Sequence, residues 1–269
     1  MWPSTIPGEL EPNLGSRQGR GLVLCRSGTK FRAQALNIGS SVPTLTAIRS
    51  RGVAHGFPAE YYAGASSIVL AEYAEVDFAN NASVFMSCWA QPTTDNPGAG
   101  FGGQYFIGKG FDASTEAYAL RLGQSSGQST VTALSYDGAS HAAETGPINW
   151  GAARPRHICG GYDGTTWHAG YDGRITASNA DATGPKANNN QLSIGAFNES
   201  GTPSRWFTGN IWDVRIYNYF PDVGTIWEMY INPMGLYLEE SFSLSFKINI
   251  PAMDASETLR VTQSNLQWS

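Results

Sequence analysis

The feature that most constrains the fold is a series of short β-type segments between residues 156 and 217. Asp163-Gly164 and Asp172-Gly173 interrupt this series. Asp-Gly is among the strongest short-range signals for a β-hairpin turn. The sequence therefore predicts a meander of antiparallel strands in this half of the chain.

The composition agrees with an all-β protein rich in turns. The chain has 269 residues, of which 31 are glycine and only 14% are charged. β Sandwiches of this length often form one domain, and a chain this long buries a sizeable core. Abundant aromatic residues and a net charge of only −5 exclude general disorder.

The clearest strand of the first half covers residues 83–91. Its alternation places one set of apolar side chains on one face and Phe85 and Trp89 on the other, so we expect both faces to be covered. Three further strands are predicted at residues 105–107, 118–122 and 130–136, a spacing typical of a sandwich. One helix is predicted at residues 222–231, between Pro221 and Pro233. Trp89 and Ile211 are predicted to be core residues of opposing sheets.

The order of these segments resembles a laminin-G-like, concanavalin A-like jelly roll of the kind found in tailed-phage structural proteins. Ser83–Pro92 is similar to the family strand Phe-Thr-x-Ser-x-Trp-x-x-Pro, and Gly209–Tyr217 to a closing strand. Arg20–Val23 and Asn232–Leu236 resemble the start and the end of such phage domains. The resemblance implies an all-β antiparallel sandwich with one short helix.

The resemblance covers roughly residues 20–238 and divides the chain into three parts. Residues 1–20 are expected to form an extended arm, because proline and glycine recur in them. Residues 21–238 form the jelly roll, and residues 239–269 a C-terminal β extension. The candidate partner-binding residues are two arginines near the arm and the apolar row of residues 241–250, namely Arg17, Arg20, Phe242, Leu244, Phe246, Ile248 and Ile250.

Catalysis is not expected. Glycosidases with this fold carry Glu-x-Asp-x-x-Glu on one strand, and retaining hydrolysis needs two carboxylates about 5 Å apart. The similar stretch here is Glu75-Val76-Asp77-Phe78-Ala79-Asn80, in which Asn80 replaces the last acid. An amide cannot donate a proton as a carboxylic acid does, so the protein is predicted not to be an enzyme.

Calcium is the one candidate cofactor, because laminin-G-like folds often bind it at one edge. Asp95, Asp112 and Asp213 lie near predicted strand ends and are the candidate oxygen ligands. The three cysteines form no CxxC pair, so neither a disulfide framework nor a zinc site is expected. For a glycan, the candidate contacts are Trp206, Trp167 and Asn198, because sugars need an aromatic platform with polar neighbours.

The resemblance implies a non-enzymatic virion structural protein, a capsid decoration (cement) protein acting through protein–protein contacts. Its expected partners are the major capsid protein or another virion protein, further copies of itself, and a glycan. The alternative is a carbohydrate-binding module of a phage tail fibre or spike that recognises a host receptor. No signal peptide is recognised, so assembly in the host cytoplasm is expected. Neither a nucleic-acid partner nor a membrane is expected.

Overall fold

The computed structural model describes residues 16–27, 30–33, 44–46, 50–54, 57–64, 67–70, 76–93, 103–110, 116–125, 127–150, 154–188, 190–199 and 202–236. These residues form β1 (Leu22–Ser27), β2 (Lys30–Ala33), β3 (Thr44–Thr46), β4 (Ser50–Ala54), β5 (Phe57–Ala63), β6 (Ser67–Leu70), β7 (Val84–Pro92), β8 (Gln104–Gly110), β9 (Glu116–Ser125), β10 (Gln128–Tyr136), β11 (Ser140–Glu144), β12 (Arg156–Tyr162), β13 (Thr166–Tyr171), β14 (Arg174–Ala180), β15 (Leu192–Ile194), β16 (Phe197–Glu199), β17 (Thr202–Ser204) and β18 (Thr208–Tyr217). Helix α1 spans Val223–Ile231, and a 3₁₀ helix spans Pro233–Leu236.

The strands form two large antiparallel sheets. In the nine-stranded sheet the order is β14-β13-β12-β7-β18-β1-β2, with β5 paired to β18 and β4 paired to β5. In the seven-stranded sheet the order is β11-β10-β9-β8-β15-β6-β3, and β16–β17 is a separate hairpin. The predicted fold class, an antiparallel sandwich with one α-helix, is confirmed. Within the described residues, no helix is long and apolar enough to cross a membrane.

The core lies between the two sheets and follows the alternation predicted for β7. Val84, Met86, Cys88 and Ala90 all belong to the main apolar cluster. Cys88 and Cys159 are free and buried, and burial raises the pKa of each thiol. Both are therefore protonated, unreactive members of apolar packing.

The outer face of the nine-stranded sheet is covered by α1, whose buried side chains pack on Phe85. On the same face Trp89 stacks between Trp212 and Tyr230, with ring centroids 6.0 and 5.7 Å away. Ile211 points into the main core. The prediction of opposing sheets is therefore wrong, because β7 and β18 are neighbours that pair Trp89 with Trp212.

A buried ion pair closes this side of the domain. Asp213 has a φ of 50° at an irregularity in β18, and its carboxylate accepts from Arg215 Nε at 2.9 Å and Nη2 at 2.6 Å. Arg215 also donates to Gln18 Oε1 and to the Pro233 carbonyl, both at 2.7 Å. Residues 16–20, which belong to the predicted arm, thus pack on the domain. Residues 1–15 and 239–269 lie outside the described residues, so the three-part division stays a prediction.

An ionic contact joins the edges of the two sheets. His141 of β11 bonds to Asp181, which follows β14, at 2.9 Å and to Asp137 at 3.0 Å. Lys186 pairs with Asp137 at 2.9 Å. Burial lowers the pKa of His141, but the hydrogen bonds to the Asp181 and Asp137 carboxylates outweigh it and raise that pKa. Hydrogen bonds from Lys186 and His141 lower the pKa of Asp137 to about 2, and a backbone bond from Thr183 lowers that of Asp181.

These shifts predict how pH affects stability. The His141 contribution is present below the ordinary histidine pKa and is lost as pH rises through the raised pKa of the folded state. The aspartate contributions are present above the ordinary aspartate pKa and are lost as pH falls through the lowered ones. We therefore expect the contact to stabilise the fold most between about pH 4 and 6.5. Urea unfolding across pH should show a decline above this range that is absent in His141→Gln; an unchanged decline in that variant would contradict the assignment.

Candidate functional site

The candidate site lies on the outer face of the seven-stranded sheet. Strand β9 alternates, so Leu120 and Leu122 enter the main core while Ala119 and Arg121 face the other way. Tyr105 of β8 shares this outer face, and its ring packs on Phe197 of the β16–β17 hairpin at 4.9 Å. The hairpin thus forms one wall over the sheet.

Four side chains at this wall form what we term the Tyr105 cluster: Tyr105, Glu116, Arg121 and Arg205. Nη1 of Arg121 and Nη1 of Arg205 each donate to the Tyr105 hydroxyl at 3.3 Å. Both guanidinium carbons also lie 5.9 Å from the centroid of the Tyr105 ring. The same hydroxyl is hydrogen-bonded to the Glu116 carboxyl. A tyrosine hydroxyl can accept two bonds and donate one, so this arrangement uses its full capacity.

Burial sets the ionisation of the cluster. Glu116 is only 4% exposed, and burial raises its pKa, although the bond from Tyr105 and the charges of the two arginines oppose the shift. Burial also raises the pKa of Tyr105, so its hydroxyl stays neutral. Two permanent cations therefore share one weakly ionising carboxyl, and the cluster carries net positive charge.

Two polar atoms of the cluster are unsatisfied. Glu116 Oε1 and Arg121 Nε are buried, and neither has a hydrogen-bond partner. An orphaned buried donor or acceptor costs about 1–3 kcal/mol, so native proteins rarely keep two side by side without a reason. Arg205 adds a second irregularity, because its φ of 50° is unusual outside glycine. Such costs concentrate at ligand sites, where the strain is part of the function.

The described cluster holds one carboxyl group beside several hydrogen-bond donors. Glycoside hydrolysis needs two carboxyl groups, one on each side of the bond that is cleaved. Within the described residues, Glu116 is the single carboxyl that interacts with Tyr105. The remaining groups are hydrogen-bond donors and aromatic rings.

Comparison with known families supports a carbohydrate-related fold. Residues 63–225, more than half of the chain, match the concanavalin A-like lectin/glucanases superfamily in its laminin-G form. This span contains all four residues of the Tyr105 cluster. The chain belongs to the concanavalin A-like lectin/glucanase superfamily. A comparison with curated proteins found no match.

Several solved structures share this lectin/glucanase fold. Domain 4 of AbnA, an extracellular GH43 arabinanase from Geobacillus stearothermophilus solved with arabinotriose, has a TM-score of 0.57 and 16% identity, covering 78% of this chain and 98% of its own. The binding domain of Paraclostridial Mosquitocidal Protein 1 has a TM-score of 0.59 and 11% identity, covering 78% of this chain and 52% of its own. The binding domain of botulinum neurotoxin DC, solved with SialylT, has a TM-score of 0.58 and 8% identity, covering 80% of this chain and 52% of its own. The chain spans about half the length of the two toxin domains, and identities this low establish the fold alone.

Two of the three predicted glycan contacts need correction. Trp167 is fully buried in the lectin/glucanase core, where its Nε1 donates to the Thr183 carbonyl at 2.9 Å. Asn198 is 2% exposed, and its Nδ2 donates to Gln191 Oε1 at 2.5 Å. Their burial excludes an exposed sugar platform at either position. Trp206 is half-buried and directly follows Arg205, so it lies beside the Tyr105 cluster in sequence.

Of the three predicted calcium ligands, Asp213 is the one that lies in the described part of the chain. Asp213 is 3% exposed and both of its oxygens bond to Arg215, so its assignment as a calcium ligand is wrong. Asp95 and Asp112 lie outside the described residues. In the part of the chain that is described, no group of three or more His, Cys, Asp or Glu side chains could hold a metal ion.

In the glycosidase-like stretch, the described residues 76–80 make structural contacts. Asp77 pairs with the buried Lys109, and Asn80 Oδ1 accepts from the Ala187 amide at 2.9 Å. Glu75 lies outside the described residues. These contacts hold the segment before β7 against β8 and against the loop that follows β14.

Of the predicted partner-binding residues, the two arginines are described and the apolar row is not. Arg17 is exposed and pairs with Asp222, the N-cap of α1, at 2.5 Å, while Arg20 is also exposed. Phe242, Leu244, Phe246, Ile248 and Ile250 lie outside the described residues. Sequence reasoning missed the Tyr105 cluster altogether. The available signal was Arg121, a charge inside the apolar run 118–122.

Proposed function

We propose that the protein is a non-catalytic glycan-binding module whose site is the Tyr105 cluster. The observation that carries this proposal is the pair of half-buried guanidinium groups that converge on one outer sheet face. Sugars present hydroxyl oxygens around the ring edge and C–H groups on the ring face. Convergent guanidinium donors can fix the hydroxyl oxygens.

The superfamily and the bound ligands of its relatives support this assignment. One similar structure contains arabinotriose and another contains SialylT, so domains of this architecture accommodate oligosaccharides. The single carboxyl of the cluster supports binding without hydrolysis. A carbohydrate-binding role also agrees with the alternative drawn from the sequence, a receptor-recognition module of a tail fibre or spike.

A glycan array probed with the intact protein tests the proposal. We expect binding to a defined group of glycans, and we expect Arg205→Ala to lose it while its melting temperature stays close to that of the parent. Arg154→Ala is the matched control, because Arg154 is exposed and lies outside the cluster. Absence of binding to every glycan, or equal binding by parent and Arg205→Ala, would contradict the proposal.

A second candidate function is the virion decoration protein expected from the sequence, located on the particle and held by the major capsid protein or another virion protein. The observation that favours it is an apolar stripe on α1. Val223, Trp227 and Ile231 are 71%, 39% and 54% exposed, and they are spaced by four residues on one helix face. Exposed apolar stripes with a central tryptophan are typical of protein-contact surfaces.

The stripe gives a prediction of its own. Trp227→Glu should leave the melting temperature within a few degrees of the parent, because the side chain is substantially exposed. If the stripe is a docking surface, the variant should lose at least about tenfold in affinity for assembled particles, since central tryptophans contribute 2 kcal/mol or more at interfaces. Co-sedimentation with purified particles measures this, and undiminished co-sedimentation would remove the stripe from any decoration role.

A further inference from the structure

We propose that the Tyr105 cluster recognises an acidic sugar, whose carboxylate binds between the guanidinium groups of Arg121 and Arg205. This inference rests on the proposed function, and it specifies the class of glycan. Both a sialic acid and a uronic acid carry the required carboxylate on a pyranose ring. The cluster binds the carboxylate group that both sugars share.

The first argument is the balance of charge. Both arginines are permanently charged, and their Nη1 atoms approach the same oxygen at 3.3 Å, so the two cations repel each other. Within the described residues, Glu116 is the single carboxyl interacting with Tyr105. One carboxyl cannot neutralise two guanidinium groups. An incoming carboxylate relieves the repulsion, whereas a neutral hydroxyl does not.

The second argument is unused hydrogen-bonding capacity. Each guanidinium carries five N–H donors in a planar fork, and a carboxylate matches that fork with two parallel bonds. In the described part of the chain, each guanidinium group makes one hydrogen bond, to the Tyr105 hydroxyl. Nε of Arg121 is buried and has no hydrogen-bond partner. These donors suit a doubly accepting anion better than a single hydroxyl.

The third argument is the unused hydrogen-bond acceptor of Glu116, which lies beside the inferred binding position of the sugar carboxylate. Its Oε1 is buried without a hydrogen-bond partner and the residue is 4% exposed. Burial also raises its pKa, which limits its repulsion of an acidic ligand. A sugar ring carries hydroxyl groups next to its carboxylate, and one of them can satisfy Oε1. The guanidinium carbon of Arg205 lies 5.6 Å from the centroid of the buried Phe197 ring, which holds this arginine in place beside the site.

Isothermal titration with matched ligands tests the inference. The pairs are 3′-sialyllactose against lactose, and trigalacturonic acid against its methyl ester. We expect one acidic member to bind about ten- to a hundredfold more tightly than its neutral partner, the range expected for charge-assisted hydrogen bonds. The pair that shows the difference identifies the source of the carboxylate. The preference should shrink as salt is raised, because ion pairing is screened.

Variants of the two arginines then test where the sugar carboxylate binds. Arg121→Ala and Arg205→Ala should each reduce the acidic preference, Arg205→Lys should retain part of it, and Arg154→Ala should leave it unchanged. Equal affinity for acidic and neutral members overturns the inference but leaves the proposed function standing. Absence of binding to every glycan overturns both. An acidic preference that survives loss of both arginines moves the site elsewhere and also overturns the inference.

Discussion

Replacing Arg215 with methionine is expected to lower the free energy of unfolding by about 3–5 kcal/mol, because it leaves a buried carboxylate without its partner. Arg215 is 1% exposed and satisfies both oxygens of Asp213, together with Gln18 and the Pro233 carbonyl. The pair thus links residues 16–20 and the 3₁₀ helix to β18. Removing one ion exposes the full desolvation cost of the other.

A second variant separates the ion pair from simple loss of packing. The double change Asp213→Asn with Arg215→Met removes the uncompensated charge, so it should recover part of the stability lost in the single variant. Arg154→Met, at an exposed position, is the surface control and should change stability by less than about 0.5 kcal/mol. Urea unfolding followed by tryptophan fluorescence measures all three, and a loss below about 1 kcal/mol in the single variant would contradict a buried pair.

Truncation on the two faces of the nine-stranded sheet should also have large effects, but of different kinds. Ile211→Ala creates a cavity between the sheets and should cost about 2–5 kcal/mol. Trp89→Ala should cost about 3–5 kcal/mol and should loosen α1, because Trp89 stacks on Tyr230 of that helix. Sequence reasoning placed these residues in opposing sheets, whereas the pairing of β7 with β18 puts them in the same one.

Amide hydrogen exchange distinguishes the two variants. In Trp89→Ala, protection should fall first in α1 and remain high in the strands of the seven-stranded sheet. In Ile211→Ala, protection should fall throughout the sandwich, because the cavity lies in the shared core. The same exchange pattern in both variants would contradict their assignment to separate faces.

The alternation of apolar residues correctly predicted which face of a strand each side chain occupies. It could not predict which strands are neighbours in a sheet. The period of two in β7 correctly separated the core side chains from Phe85 and Trp89, because successive side chains point to opposite sides of a strand. The period is identical for every strand of a sandwich, so it carries no information about which strand pairs with which. Turn signals supplied that information only for the consecutive hairpins at Asp163-Gly164 and Asp172-Gly173.

The Tyr105 cluster was beyond sequence reasoning for the same reason. Its members come from β8, β9 and the residue after β17, and Arg205 is 100 positions from Tyr105 in the chain. Only the sheet order and the position of the β16–β17 hairpin bring them together. The aromatic candidate Trp167 failed for a different reason. Trp167 lies in a strand whose inward phase buries it, and a large aromatic residue gains more from core burial than from exposure.

A crystal structure of the protein with the acidic oligosaccharide that binds most tightly would test the central claim most directly. The account predicts the sugar on the outer face of the seven-stranded sheet, with its carboxylate within hydrogen-bond distance of both Arg121 and Arg205. A sugar bound on the other sheet, or on this face with its carboxylate directed away from both arginines, would contradict it.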